Sequence, residues 1–189
     1  MDVNLWRSTN NYNLFFSALY RVVLYIWKYC KYRGGIPLTI NGDITKVDKG
    51  IIVHQVNCKK VMGAGLAKAL REKYPKHYEE YRLTKPKLGD IIITEIKNDL
   101  YIIGMYAQNG YGRNSCYTEY QSFGECLDKV HEFGEQKHLQ IYIPYGIGCG
   151  LANGDWNIIK DLINDKCAEA ILIKRVWLWQ TIEDLKIWH

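Results

Sequence analysis

The sequence predicts an α/β fold, and three observations carry that prediction. Short apolar runs alternate with longer amphipathic ones from Pro37 onward. Runs such as Ile51-Ile52-Val53 and Ile91-Ile92-Ile93 are apolar at consecutive positions, the pattern of strands covered by helices on both faces. Two glycine-rich turns each follow a strand candidate and lead toward a helix candidate. In chain order, the strand candidates span residues 38–40, 51–56, 90–96, 100–106, 139–143 and 170–176, and the helix candidates span 66–74, 120–136 and 155–166. No internal repeat or low-complexity stretch interrupts them.

With 189 residues, 48% hydrophobic and 24% charged, the composition is that of an ordinary globular chain. A chain of this length buries roughly 70% of the surface it exposes unfolded, so a core forms without disulfides or metals. The six cysteines contain no C-x-x-C pair, and His54, His77, His131 and His138 show no ligand spacing, so neither a metal nor a cofactor is expected. Free thiols and a cytoplasmic location follow as expectations. The chain lacks G-K, G-x-S-x-G and H-E-x-x-H, which removes P-loop, serine-elbow and zincin chemistry.

Of the net charge of +5, residues 1–35 carry +4 and residues 36–189 only +1. A near-neutral body argues against a general DNA-binding domain, because binding a phosphate backbone needs a concentrated basic face, and no specific nucleic-acid partner is expected. We therefore divide the chain into a basic, aromatic-rich extension, 1–35, and a domain, 36–189. Residues 14–27 of the extension are almost wholly apolar, too short a run to span a bilayer comfortably, and Arg21 interrupts it. Asn13, Ser17, Arg21, Lys28 and Lys31 form a polar stripe on a helical wheel. That pattern suits a helix packed on protein, a membrane-surface helix or a poorly ordered segment, so residues 12–33 are the expected site of any membrane or protein contact. Gly34-Gly35 reads as a hinge, and the tail from Trp177 to His189 is expected to pack on the extension. A monomer is expected.

The first glycine turn follows the strand candidate at 51–56 and reads Val61-Met62-Gly63-Ala64-Gly65-Leu66-Ala67-Lys68. Glycines let the backbone approach an anion, and the helix start that follows offers unpaired N–H groups with partial positive charge. The dinucleotide fingerprint is absent, since Lys68 stands at the third glycine position. Taken alone, this turn suits tight packing as well as a ligand. The second turn, Pro144-Tyr145-Gly146-Ile147-Gly148-Cys149-Gly150-Leu151, alternates its glycines and precedes Asn153, a candidate helix cap. In parallel α/β sheets ligands bind beyond the carboxyl ends of the strands, so both turns fall on one edge and suit a diphosphate. Asn41-Gly42-Asp43-Ile44-Thr45 follows the first strand on that same edge. Asp43 there suits either acceptance from an exocyclic amine or an Asx-turn.

At this point the residues resemble a known family. Gly42-Asp43-Ile44-Thr45, Gln55-Val56-Asn57-Cys58, Met62-Gly63-Ala64-Gly65-Leu66-Ala67, and the run from Ile143 to Leu151 with Trp156 resemble the macro domain in order and spacing, over about residues 37–176. Within it they are most similar to the branch containing the yeast-type ADP-ribose 1″-phosphate phosphatase, phage and bacterial relatives, and the human terminal ADP-ribose glycohydrolase. The resemblance implies a three-layer α/β/α fold with a mixed central sheet, and ADP-ribose as the partner in a cleft across the strand ends. It implies that Asp43, beside Gly42, bonds the adenine amine and the Ile44 backbone bonds the ring. Asn57 and Gly63-Ala64-Gly65, flanked by Gln55, Val56, Met62, Leu66 and Ala67, would hold the distal ribose. Tyr145, Gly146, Ile147, Gly148, Cys149, Gly150, Leu151, Ala152 and Asn153 would wrap the diphosphate.

The reaction depends on what lies near the distal ribose. The lysine nucleophile of the glycohydrolase branch is missing from residues 106–113, and Ala152 stands where that branch has an aspartate. Arginine does not replace lysine as a nucleophile, because it stays protonated. The expected activity is therefore hydrolysis of ADP-ribose 1″-phosphate. A hydrolase of O-acetyl-ADP-ribose or of ADP-ribosyl linkages, and a non-catalytic ADP-ribose binding module, are the alternatives. Asn57 is the candidate water-orienting residue, and Asp155 and Glu119 are the candidate bases. Each also has a structural reading: Asn57 as a buried amide bridging loops, Asp155 as a helix cap, and Glu119 as a solvated first-turn residue.

Overall fold

The computed structural model describes residues 37–112 and 114–175 of the chain. The expected extension helix, its hinge and the aromatic tail lie outside the described residues. Six strands, β1 (Thr39–Asn41), β2 (Gly50–Asn57), β3 (Ile91–Lys97), β4 (Leu100–Gln108), β5 (Ile141–Pro144) and β6 (Ile171–Lys174), form one sheet of order β1-β6-β5-β2-β4-β3. Every neighbouring pair is parallel except β3 and β4, which form a hairpin. Four helices are described: α1 (Gly65–Lys73), α2 (Pro75–Leu83), α3 (Tyr120–Lys137) and α4 (Trp156–Lys166).

The sheet is mixed and its two faces are covered separately. Ile51, Val53, Ile103 and Met105 pack with Phe123 and Leu127 of α3 and with Ile159 and Ile163 of α4. From the alternate positions, Ile52, Val56, Ile102 and Tyr106 pack with Leu70 of α1 and Tyr81 of α2. The period of two in a strand sends neighbours to opposite faces, so consecutive apolar residues in β2 and β4 fill two cores at once. Each fully buried aliphatic side chain contributes about 1.5–3 kcal/mol.

The run Ile91-Ile92-Ile93 departs from that expectation. β3 is an edge strand whose burial alternates, and Ile93 stays 38% exposed. Helix α2 is absent from the sequence reading because its buried stripe is only His77 and Tyr81, one turn apart, in a segment otherwise polar. Pro75 at its first turn was the available start signal. A short 3-10 turn, Ile44–Lys46, also follows β1.

One feature of the register positions the site. β2 pairs with β5 only at Ile51↔Ile141 and Ile52↔Tyr142. Beyond that, β2 continues beside β4 to Asn57, and β5 beside β6 to Pro144. The sheet therefore opens between β2 and β5 at its carboxyl edge, where the connections also diverge to opposite sides, the place α/β sheets reserve for ligands.

Candidate functional site

A cleft of about 460 Å³ occupies this opening. Its walls are His54 to Asn57 of β2, residues 61–67, Gln108 and Tyr111 beyond β4, and residues 144–148 and 150–152 after β5. On one wall the first three N–H groups of α1, those of Gly65, Leu66 and Ala67, make no hydrogen bond among the described residues; Lys68 N begins the ladder by donating to Ala64 O at 3.1 Å. On the other wall the N–H groups of Gly146, Gly148 and Gly150 are equally unused, while Ile147 N and Cys149 N donate to Pro144 O and Gly146 O. Two sets of backbone donors thus border the same space.

Glycine is required in that second turn where φ is positive. Gly146 and Gly148 have φ of +76° and +75°, and a Cβ on Gly148 would lie 2.5 Å from Gln55 Oε1. Gly150 differs: its φ is ordinary and its Cβ position is open, so a side chain there would simply fill the cleft. The turn is pinned from below. Gln55 Nε2 donates to Gln108 Oε1 and to Thr118 Oγ1, both at 3.1 Å, and Thr118 Oγ1 donates to Gly148 O at 3.0 Å.

Asn57 is buried and closes the first turn on itself. Its Oδ1 accepts from Lys59 N at 3.0 Å and Val61 N at 3.1 Å, and its Nδ2 donates to Val61 O at 2.7 Å. Tyr81 of α2 donates to Asn57 O at 2.5 Å and lies 3.3 Å from Oδ1. The two N–H donors fix the amide's orientation and leave only the second Nδ2 hydrogen for the cleft. Asn57 is a loop-closing residue that also lines the site.

Asp43 lies at the end of β1, outside the cleft walls proper. Its Oδ1 caps the 3-10 turn, accepting from Thr45 Oγ1 at 2.7 Å and Thr45 N at 3.0 Å. The Thr45 hydroxyl, with the Thr45 N–H and the charges of Arg175 and Lys46, holds the carboxyl below its ordinary range against the effect of burial. Gly42 N bonds Lys174 O, and Ile44 is buried in the core shared with Ile173.

No family model and no curated protein sequence matches the chain. Solved structures do. A protein from Bacteroides thetaiotaomicron is 27% identical, with a TM-score of 0.67 over 74% of this chain and 99% of its own. A macrodomain protein from Streptomyces coelicolor is 21% identical, with a TM-score of 0.61 over 74% of this chain and 98% of its own. Thermosipho africanus DarTG, solved in complex with ADP-ribose, is 17% identical, with a TM-score of 0.59 over 79% of this chain and 44% of its own. The chain has the macrodomain fold.

On this macrodomain scaffold the two expected bases stand apart from the cleft. Asp155 caps α4, its Oδ1 accepting from Asn157 N at 2.7 Å while its own N–H donates to Tyr120 Oη at 2.9 Å. A carboxylate at a helix N-terminus is held there by the unpaired N–H groups and the dipole of the helix, which is a capping role. Glu119 accepts from Asn109 Nδ2 at 2.5 Å on the exposed surface. Neither is among the lining residues, and no carboxylate, lysine or described arginine is. Cys149 also points away: Sγ donates to Ile147 O at 3.4 Å, and burial pushes the thiol up to about 11. Asn153 turns the loop with φ of 56°, its N–H on Gly150 O.

His54, Gln108 and Tyr111 join the macrodomain cleft without having been chosen from the sequence as site residues. β4 runs two residues past its expected end, which brings Gln108 to the edge. His54 belongs to a buried chain. Thr94 Oγ1 donates to Glu80 Oε2 at 2.5 Å, so it accepts from His77 Nδ1 at 2.9 Å. His77 Nε2 then accepts from His54 Nε2 at 2.8 Å, which leaves His54 Nδ1 a lone pair with no partner. Burial keeps both rings neutral, lowering His54 strongly and His77 to about 4.

Proposed function

We propose that the cleft binds ADP-ribose or a derivative of it. The observation that carries this reading is the pair of unused N–H sets, at the start of α1 and in the 146–150 turn, on either side of the opening between β2 and β5. Neutral donors converging on a slot without carboxylates are suited to a diphosphate. Asp43 sits three strands from Asn57, at least about 14 Å because the sheet opens between β2 and β5, a span on the scale of an extended nucleoside diphosphate sugar. Its Oδ2, which has no hydrogen-bond partner among the described residues, is available to an adenine amine. Tyr145, tilted against Trp156 at 4.6 Å between ring centroids, offers a flat apolar wall between. The complex of Thermosipho africanus DarTG with ADP-ribose supports the same ligand.

The reaction assigned to this cleft is hydrolysis of ADP-ribose 1″-phosphate. What favours it is that Asn57, whose Nδ2 keeps one hydrogen beyond its bond to Val61 O, lines the same cleft as the α1 donors, a set suited to stabilising charge that develops at a distal phosphate. With no carboxylate base in the walls, turnover is expected to be slow.

Calorimetry with ADP-ribose and phosphate release from ADP-ribose 1″-phosphate test both parts on the full chain. Asp43→Ala is expected to weaken binding by about 1–3 kcal/mol, and an unchanged affinity would remove Asp43 from the site. Asn57→Ala is expected to lower turnover more than affinity. Binding without release would keep the ligand and discard the phosphatase; no binding would discard both.

A further inference from the structure

The near-neutral charge of the domain is an average over two helical layers of opposite sign. Residues 59–87, comprising the first glycine turn, α1, α2 and the segment after them, hold nine basic side chains against three acidic ones, a net of +6. Residues 119–169, comprising α3, α4 and their connections, hold four basic side chains against nine acidic ones, a net of −5. These segments cover opposite faces of the sheet. The expectation of no specific nucleic-acid partner rested on the mean charge, which conceals this separation.

The positive charge is largely unneutralised. Lys68 and Lys76 meet Glu72 and Glu80 only at 3.8 and 3.9 Å on the exposed helix surface, where such pairs contribute little. Lys59, Lys60, Arg71, Arg82, Lys85 and Lys87 have no carboxylate within salt-bridge distance among the described residues. Some of these cations are also pre-positioned. The guanidinium groups of Arg71 and Arg82 lie 5.5 and 5.9 Å from the centroid of the same ring, Tyr78, and Lys60 Nζ donates to Arg82 O at 2.8 Å. On the opposite layer, Lys129 and Lys166 are tied to Asp90 and Asp128 at 2.6 and 2.9 Å.

We propose that the α1–α2 layer is a docking surface for single-stranded nucleic acid. A phosphodiester chain carries anionic charge at the regular spacing that a field of lysines and arginines neutralises. Guanidinium planes held by Tyr78 add faces on which unpaired bases stack, which an acidic protein would leave unused. The acidic α3–α4 layer repels the same chain, so docking is confined to one side. The surface adjoins the cleft through Lys59 and Lys60, which share the turn of Asn57 and Val61. The inference stands on charge and does not depend on the ligand assigned to the cleft.

Fluorescence anisotropy of a labelled single-stranded DNA of about 20 nucleotides, titrated with the full chain across a salt series, is the test. Binding is expected to weaken with salt, log K falling by about 0.7 per contacted phosphate for each decade of salt. Arg71→Glu with Arg82→Glu, and separately Lys59→Glu with Lys68→Glu, are each expected to lose at least about tenfold in affinity, and Lys160→Glu on the acidic layer to lose nothing. Circular dichroism and ADP-ribose calorimetry on the same variants separate a lost surface from a lost fold. The proposal is overturned if the full chain does not bind, or if both double variants bind within about twofold of the parent, since contact would then run through residues 1–35 or another surface.

Discussion

His54 and His77 make the stability of the domain depend on pH in a window where few other groups titrate. Both rings are buried and neutral, with His77 at about 4 in the fold against 6.5 when exposed. The unfolded chain therefore takes up the protons first. Stability is complete above 6.5 and is lost as pH falls toward 4, by about 1.4 kcal/mol per pH unit for each ring. Urea unfolding followed from neutral pH to about pH 5 is expected to give this slope, and His77→Gln to halve it; a parent slope near zero would mean the pair opens to solvent. Nothing in the sequence pairs these two histidines, 23 residues apart, because His77 lies on α2, a helix that leaves almost no apolar stripe. That Asn57 lines the cleft was legible from its place before the first glycine turn, but its partners were not: Tyr81 comes from that same helix. The carboxylates mislead for a related reason. Asp155 and Glu119 sit at helix starts, where capping and chemistry use the same residue types, and only the position of the cleft walls separates the two.

At the scale of elements, the two glycine turns were the most legible feature, because alternate glycines after a strand have a direct backbone reason. The structure divides their roles further. Gly148→Ala combines a positive φ, costing about 1–2 kcal/mol for a residue with a Cβ, with displacement of Gln55. It is expected to lower the unfolding free energy by at least about 2 kcal/mol in a urea titration. Gly150→Ala, with ordinary φ and open space, is expected to leave that titration unchanged and to weaken ADP-ribose in calorimetry. If both variants behaved alike, the distinction between a glycine needed by the backbone and one needed by the ligand would fail. The strand run Ile91-Ile92-Ile93 was less informative, since an edge strand and a central one share composition and differ only in what lies beside them.

Over the whole molecule, the α/β class and the central strands β2 and β4 were readable because burial on two faces imposes a pattern on a strand, whereas β1 and β3, at the two edges of the sheet, were readable only as short apolar runs. Pairing register and the charge of each layer were not. Both depend on which segments the topology sets side by side: the basic segments at 59–87 and the acidic ones at 119–169 cancel in the sum and separate only across the sheet. Register has the more mechanical consequence. With only two paired positions joining β2 to β5, the sheet has a seam, and a molecule bonded to the α1 start on one side and the 146–150 turn on the other would be a stitch across it. Binding energy would then appear as stiffness. Amide exchange is expected to slow in β2 and in β5 together when ADP-ribose is added, and protection confined to one of them would mean that the ligand leans on a single half.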